Sequence, residues 1–276
     1  MNLHLKFDNL NDFWNYAWQE SNSRYRKSRN PSADHWSGGV TWDEAKELAI
    51  KGWKEGLEEI EKYRAKISPM ITERVLRPIQ VYSVSGYNVD IGTYLSDDPE
   101  CFISRVYEER NYPGKIFKMV VSITFSYQIQ PETIIQRGAM ICALIDAIEY
   151  AGHRVEVICN EATSRFEDQN HRNGLMKEHG WLEVDVCAKE TDQPLDMSSL
   201  AFCLAHPAML RRVIFSIDEF NGWADLTGGS YGFPASATDK GDIYIAEVFS
   251  GVVPDDQAIK WVLEELVKLG VDLEVR

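Results

Sequence analysis

The sequence predicts an α/β fold with a layered, mostly parallel sheet, and three observations carry that prediction. Beyond about residue 115, β-branched apolar runs alternate with segments of helical apolar spacing, the order expected of strand, helix, strand units. The first two such runs bracket a long amphipathic segment closed by Gly152, with a short return that makes the strands parallel neighbours. Finally, 276 residues with 44% hydrophobic and 11% aromatic side chains suffice to bury about three-quarters of the unfolded surface without disulfides or metal.

The first stretch, residues 1–115, is aromatic and irregular. Phe7, Phe13, Trp14, Tyr16 and Trp18 lead into the basic run Arg24, Tyr25, Arg26, Lys27, Ser28, Arg29, which reads as a short helix and then a loop. After the turn Trp36-Ser37-Gly38-Gly39, Thr41 and Glu44 have the spacing of a capping box, in which each side chain satisfies an orphan backbone donor. A helix therefore starts at Trp42. Ala45, Leu48, Ala49, Trp53, Leu57 and Ile60 keep helical spacing, which predicts one helix to near Arg64. Residues 77–86 then alternate like a strand, and 89–95 form a short element before Pro99.

In the second stretch, residues 116–276, the run 118–125 is a buried strand and Pro131 opens a helix. Ile134, Ile135, Gly138, Ile141, Cys142, Ile145 and Ile148 fall within an arc of about 140° on that helix. Residues 154–159 return as a strand, and 181–187 alternate like an antiparallel edge strand with one wet face. A helical segment over 198–220 is interrupted at His206-Pro207, and a glycine-rich loop covers 221–241. A strand at 242–249, a helix opened by Pro254 and stopped by Gly270, and a last strand at 271–275 complete the pattern.

Forty-three acids against 29 bases leave a net charge of −14, a field that repels a phosphate backbone and speaks against duplex nucleic acid as partner. No apolar run approaches the ~20 residues that span a bilayer, and the first ten residues lack the apolar core of a signal peptide. The expectation is no membrane, with residence in the host cytoplasm or a virion. Cys101, Cys142, Cys159, Cys187 and Cys203 are scattered and never form Cys-x-x-Cys, which predicts reduced core residues.

The succession from Met119 to Cys159, with Ser126 in the turn and Arg137-Gly138-Ala139 and Ile148-Glu149-Tyr150-Ala151-Gly152 in the helix, resembles a von Willebrand factor A domain. The likeness is nearest to those of metal-chelatase and cobalt-chelatase subunits and covers about half the chain, with the segment 248–256 as a second match. It implies a Rossmann-like three-layer sandwich over 116–276, with 1–115 as an aromatic, mainly helical extension. The family's cation site uses Asp-x-Ser-x-Ser after the first strand and an aspartate after a later one. Here Thr124, Ser126 and Gln128 stand in the first turn and Ser250 in the second. Without a carboxylate in either, the expectation is no metal and no cofactor. The first stretch is similar to uncharacterised phage- and plasmid-encoded proteins through Trp36-Ser37-Gly38-Gly39, Gly52-Trp53-Lys54-Glu55-Gly56 and the 85–92 turn, which implies origin and not activity.

Ligand-binding loops of such sheets lie at the strand ends, which singles out Ser126 and Gln128 in one loop and Thr227, Gly228, Gly229, Ser230 and Tyr231 in another. The second loop lacks the Gly-Lys-Ser/Thr of a P-loop. Arg24, Arg26, Lys27 and Arg29 offer an anion or single-strand contact, weighed against a tether pairing with an acidic face. Glu149 falls inside its helix's apolar arc and calls for a base such as Arg154 or Arg137. His171 and His179, eight apart in a polar segment, fit no compact metal site. No residue reads as catalytic. The reading is a non-catalytic protein-binding or assembly protein of phage or mobile-element origin, its oligomeric state open. Two alternatives stay open: an enzyme or nucleotide- or anion-binding protein using Gly228-Gly229, and a virion component.

Overall fold

The elements follow the apolar periodicity of the chain. The first are strand β1 (Asn2–Phe7) and helices α1 (Leu10–Ala17), α2 (Trp42–Lys51) and α3 (Leu57–Ile67). Next come β2 (Arg77–Ser83), β3 (Asn88–Val89), α4 (Ile91–Leu95) and β4 (Phe102–Glu108). The second half holds β5 (Ile116–Ser122), α5 (Pro131–Tyr150), β6 (Arg154–Ser164), β7 (Trp181–Lys189) and α6 (Met197–Ala205). A π-helical turn (Met209–Ile214) runs into α7 (Phe215–Phe220), followed by α8 (Trp223–Leu226), β8 (Phe233–Pro234), β9 (Ile243–Ile245) and α9 (Asp255–Lys268). This computed structural model describes residues 1–20, 23–70, 77–108, 114–165, 180–246 and 254–270. The expected last strand, His171, His179 and Ser250 lie outside the described residues.

In the larger of two units, Met1–Ile71 with Lys115–Arg276, a sheet runs in the order β1-β7-β6-β5-β9. β5 is parallel to β6 and β9, β7 is antiparallel to β6, and β1 is parallel to β7. The architecture is α/β with a mostly parallel sheet. A boundary at 115/116 is not the division the structure makes. The first 71 residues join the second stretch because Leu3, Leu5 and Phe7 alternate into the core from β1, while Phe13, Trp14, Ala45, Ile60 and Tyr63 bury helices α1 to α3 in it. The second unit, Thr72–Gly114, pairs β2 and β3 antiparallel to β4 and leaves Ile91, Tyr94 and Leu95 exposed.

One sheet face sends Met119, Val121, Val155, Val157, Val184 and Val186 into the core. By the two-residue period of strands, the other face carries Lys6, Lys118, Asn160, Glu183 and Asp185. Residues near Thr238 and Asp239 cover part of it, bonded to Glu183 and Lys118. β7 is therefore not the wet edge its alternation predicts, since β1 pairs outside it and Glu183 is buried.

The capping box forms as expected, with Glu44 N–H donating to Thr41 Oγ1 at 3.2 Å and Thr41 N–H to Glu44 Oε2 at 2.7 Å. The single helix to Arg64 does not, because Gly52 takes φ +75° and ends α2. A Cβ at Gly52 would stand 2.3 Å from Ser198 Oγ, so only glycine lets the chain turn this close to α6. Glu149 finds Arg154 at 3.3 Å as anticipated, but its nearer partner is the buried Lys189 Nζ at 2.6 Å. Arg137 instead donates to the carbonyl of Ala246 at 2.7 Å.

Helices α5 and α6 cross where Gly138 has no side chain, and a Cβ there would lie 2.2 Å from Ala205 Cα. Gly138→Ala should therefore lower the unfolding free energy by about 1–3 kcal/mol, read as a smaller urea midpoint at unchanged m value. Lys189→Met takes away the nearer base of Glu149 and leaves it Arg154 and the Val155 N–H, and should cost about 1.5–3 kcal/mol in the same assay.

Candidate functional site

The strand-end region is assembled by two arginines in the π-helical turn, a helical widening that recurs at functional sites. Arg211 and Arg212 are both buried. Arg211 donates to the carbonyls of Trp36 and Ile129, and its guanidinium lies 4.5 Å from the centre of the Trp36 ring. Burial lowers its pKa to about 10, against the opposing charge of Asp34. Arg212 donates to Ser28 O at 3.1 Å, Ser32 O at 2.9 Å, Asp34 Oδ2 at 2.7 Å and Val40 O at 3.2 Å. Residues 28–40 are thereby folded over the helices, and Trp36 Nε1 reaches the carbonyl of Tyr127 at 3.1 Å.

The turn after β5 now has a defined chemistry. Thr124 is buried and accepts from Ala162 N–H at 2.9 Å through Oγ1. Ser126 is half-buried and its carbonyl accepts from Ile129 N–H at 3.0 Å. Gln128 is exposed and donates to the Tyr127 hydroxyl at 3.0 Å. Residues 123–130 contain no carboxylate, and the positive charge of Arg211 bonds to the carbonyl of Ile129.

The glycine-rich loop joins the same surface. Tyr231 stacks on Phe215 at 3.7 Å between ring centres, Phe215 meets Trp36 at 6.0 Å, and a Cβ on Gly229 would strike the Tyr25 ring at 2.5 Å. The loop's amides face inward. Gly228, Gly229 and Gly232 donate to Asp225 O, Ala224 O and Ser230 Oγ, and the Thr227 hydroxyl donates to Trp223 O at 2.9 Å. An anion cradle built on the Gly228-Gly229 amides is thus not the arrangement found. In the basic run, Arg24 approaches Asp225 at 3.8 Å, Arg26 donates to Ser23 O, and the Lys27 carbonyl accepts from Arg212. Arg29 donates to Ala17 O and Gln19 O and lies over the Trp42 ring at 5.1 Å.

Behind this surface lie acids that the sequence reading passed over. Glu161, Asp218 and Glu219 are fully buried. Glu219 is satisfied by Ser28 N–H at 3.0 Å, the Ser28 hydroxyl at 2.6 Å and the Tyr231 hydroxyl at 2.7 Å. Among the described residues the carboxyl oxygens of Asp218 meet no donor, and those of Glu161 have no full hydrogen bond, with the Thr163 hydroxyl as the one donor near them. Burial pushes Glu161 up to about 8, with the Thr163 hydroxyl opposing and the charge of Glu183 adding to the rise. Burial and the neighbouring charges of Glu161 and Glu219 raise Asp218 well above the carboxylate range. An acid inside the apolar run 157–162 was the available signal. The five cysteines are free and buried. Among the described residues, one group with metal-ligating donors stands together, His4, Glu183 and Asp185, away from these loops.

The profile of a family described as a domain of unknown function (DUF7192) matches residues 2–273. The chain belongs to that family. No curated protein and no solved structure matches it. The family match takes in both units, so the insert 72–114 is part of the family's domain. Among the described residues no single helix is long and apolar enough to cross a membrane.

Arg212→Met removes the donors of at least four acceptors. It should cost about 3 kcal/mol or more and expose the 24–29 run to trypsin in limited proteolysis. Glu161 holds its proton to about pH 8 when folded and loses it near 4.5 when unfolded. The unfolded state then binds fewer protons across that window, so stability falls as pH rises through it, by about 1.4 kcal/mol per unit for this group. Glu161→Gln should flatten the decline between pH 5.5 and 7.5, measured by urea unfolding at both.

Proposed function

We propose that this chain is a non-catalytic protein-binding or assembly protein of phage or mobile-element origin, built on a von Willebrand A-like scaffold that lacks the family's cation turn. The scaffold part is supported by the β5–α5–β6 unit with parallel strands and by the antiparallel β7. The origin rests on the resemblance of the tryptophan- and glycine-bearing segments of the first stretch.

One observation carries the binding role. The strand-end surface is prebuilt from residues distant in sequence, and it presents aromatic side chains on a fixed support. Tyr127 is 75% exposed and Trp36 36% exposed, yet the two are joined by a hydrogen bond and Trp36 lies on a buried guanidinium. Rigid aromatic anchors lose little entropy on binding and suit a protein partner. The exposed Ile91, Tyr94 and Leu95 of the second unit add apolar surface of the kind that partners cover.

A small-molecule role is favoured by a different feature, a cavity of about 510 Å3 lined by Val40, Leu48, Trp53, Ile135 and His206. His206 accepts from Ala208 N–H through Nδ1 at 3.1 Å, and burial lowers its pKa to about 4, so the ring is neutral with its proton on Nε2.

Affinity capture from the native host, with the wild type and a Trp36→Ala, Tyr127→Ala double variant, tests the reading. A partner held by the wild type and lost from the folded variant is expected. A partner held equally by both, or a nucleotide or metabolite found in the wild type by native mass spectrometry, overturns it.

A further inference from the structure

The open face of the sheet carries a donor set that the strand-end surface does not use. His4 on β1, Glu183 and Asp185 on β7 and Asn160 on β6 stand side by side, with His4 opposite Glu183 and Asn160 opposite Asp185 in register. His4 Nε2 lies 2.7 Å from Asp185 Oδ2, and Nδ1 lies 3.7 Å from Glu183 Oε2. One ligand atom from each of the three falls within 4.8 Å of the others.

Asn160 arranges the acids. Its amide donates to Glu183 Oε1 at 2.9 Å and to Asp185 Oδ1 at 2.7 Å. Each carboxylate gives one oxygen to Asn160 and turns the other toward His4. The Thr238 N–H and hydroxyl fix Glu183 further. Such outer contacts hold metal ligands in orientation. Two neighbouring carboxylates, one of them fully buried, call for a cation between them. The orientation of the amide follows from these bonds, since only its NH2 can serve two carboxylate oxygens at once.

We propose that His4, Glu183 and Asp185 bind one divalent transition ion of the zinc or manganese type. An imidazole nitrogen with two carboxylates suits such ions, whereas calcium and magnesium take oxygen ligands. Ligand atoms around a tetrahedral zinc stand roughly 3.3 Å apart, between the 2.7 and 3.7 Å separations found here. Three protein ligands leave a coordination position open. Asp185 also lines a concavity of about 390 Å3 with Lys6, Lys118, Glu156 and Cys187, which gives an ion access from solvent.

The test uses the full chain without an affinity tag, stripped by chelator and titrated calorimetrically with Zn2+ and Mn2+, and with Co2+ followed by its visible absorption. One ion per chain is expected for the wild type. His4→Ala and Asp185→Asn should each weaken binding by at least about 100-fold and Asn160→Ala by about 10–100-fold, while His35→Ala leaves it unchanged. Thermal unfolding checks that each variant is folded, and His4→Gln substitutes for any that is not. The proposal is overturned if the folded wild type takes up none of the three ions stoichiometrically. It is equally overturned if His4→Ala binds as the wild type does, since the ion then does not use the imidazole.

Discussion

A guanidinium cannot shed its charge inside a protein and brings five donors with it, so burying Arg211 and Arg212 side by side constrains everything around them. The acceptors come from far along the chain: Trp36, Ser28, Ser32, Asp34 and Val40 on one side and Ile129 on the other. Most are backbone carbonyls, so the path of the main chain itself is fixed. The loop over 28–40, the turn after β5 and the aromatic stack from Trp36 through Phe215 to Tyr231 all depend on those bonds. A polar, irregular segment is thereby ordered without secondary structure of its own.

The acids sort according to whether donors reach them. Glu219 has three and anchors Ser28 and Tyr231, whereas Glu161 and Asp218 have no full hydrogen bond among the described residues, and burial raises the pKa of both. On the opposite face, Asn160 and Thr238 supply donors to Glu183 and Asp185. The sheet thus has one face that is apolar except near its carboxyl-terminal end and another whose polar residues form a connected network. Both faces converge on β6, where Asn160 and Glu161 are adjacent and point to opposite sides. That strand links the buried acids behind the binding surface to the donor set on the open face.

Much of the scaffold was legible in the sequence because it rests on local periodicity. The strand, helix, strand order of β5, α5 and β6, the capping box at Thr41 and Glu44, and the break at His206-Pro207 depend on side chains a few residues apart. The scattered cysteines also announced their burial. By contrast, the sequence predicted one helix through Gly52, since nothing local announces that Ser198 of α6 lies against that glycine. It also counted Glu183 as a wet residue on an edge strand, because alternation cannot tell that β1 pairs outside β7.

The sequence by itself determined the α/β class with a mostly parallel sheet and the absence of acids from residues 123–130, which follow β5. Tertiary structure alone decided that residues 1–71 complete the core, that Lys189 outranks Arg137 as partner of Glu149, and that His4 meets Glu183 and Asp185. The division has a physical reason. Periodicity reports which face of an element is buried, whereas hydrogen bonds and ion pairs between elements depend on register and crossing, which only the packed chain fixes.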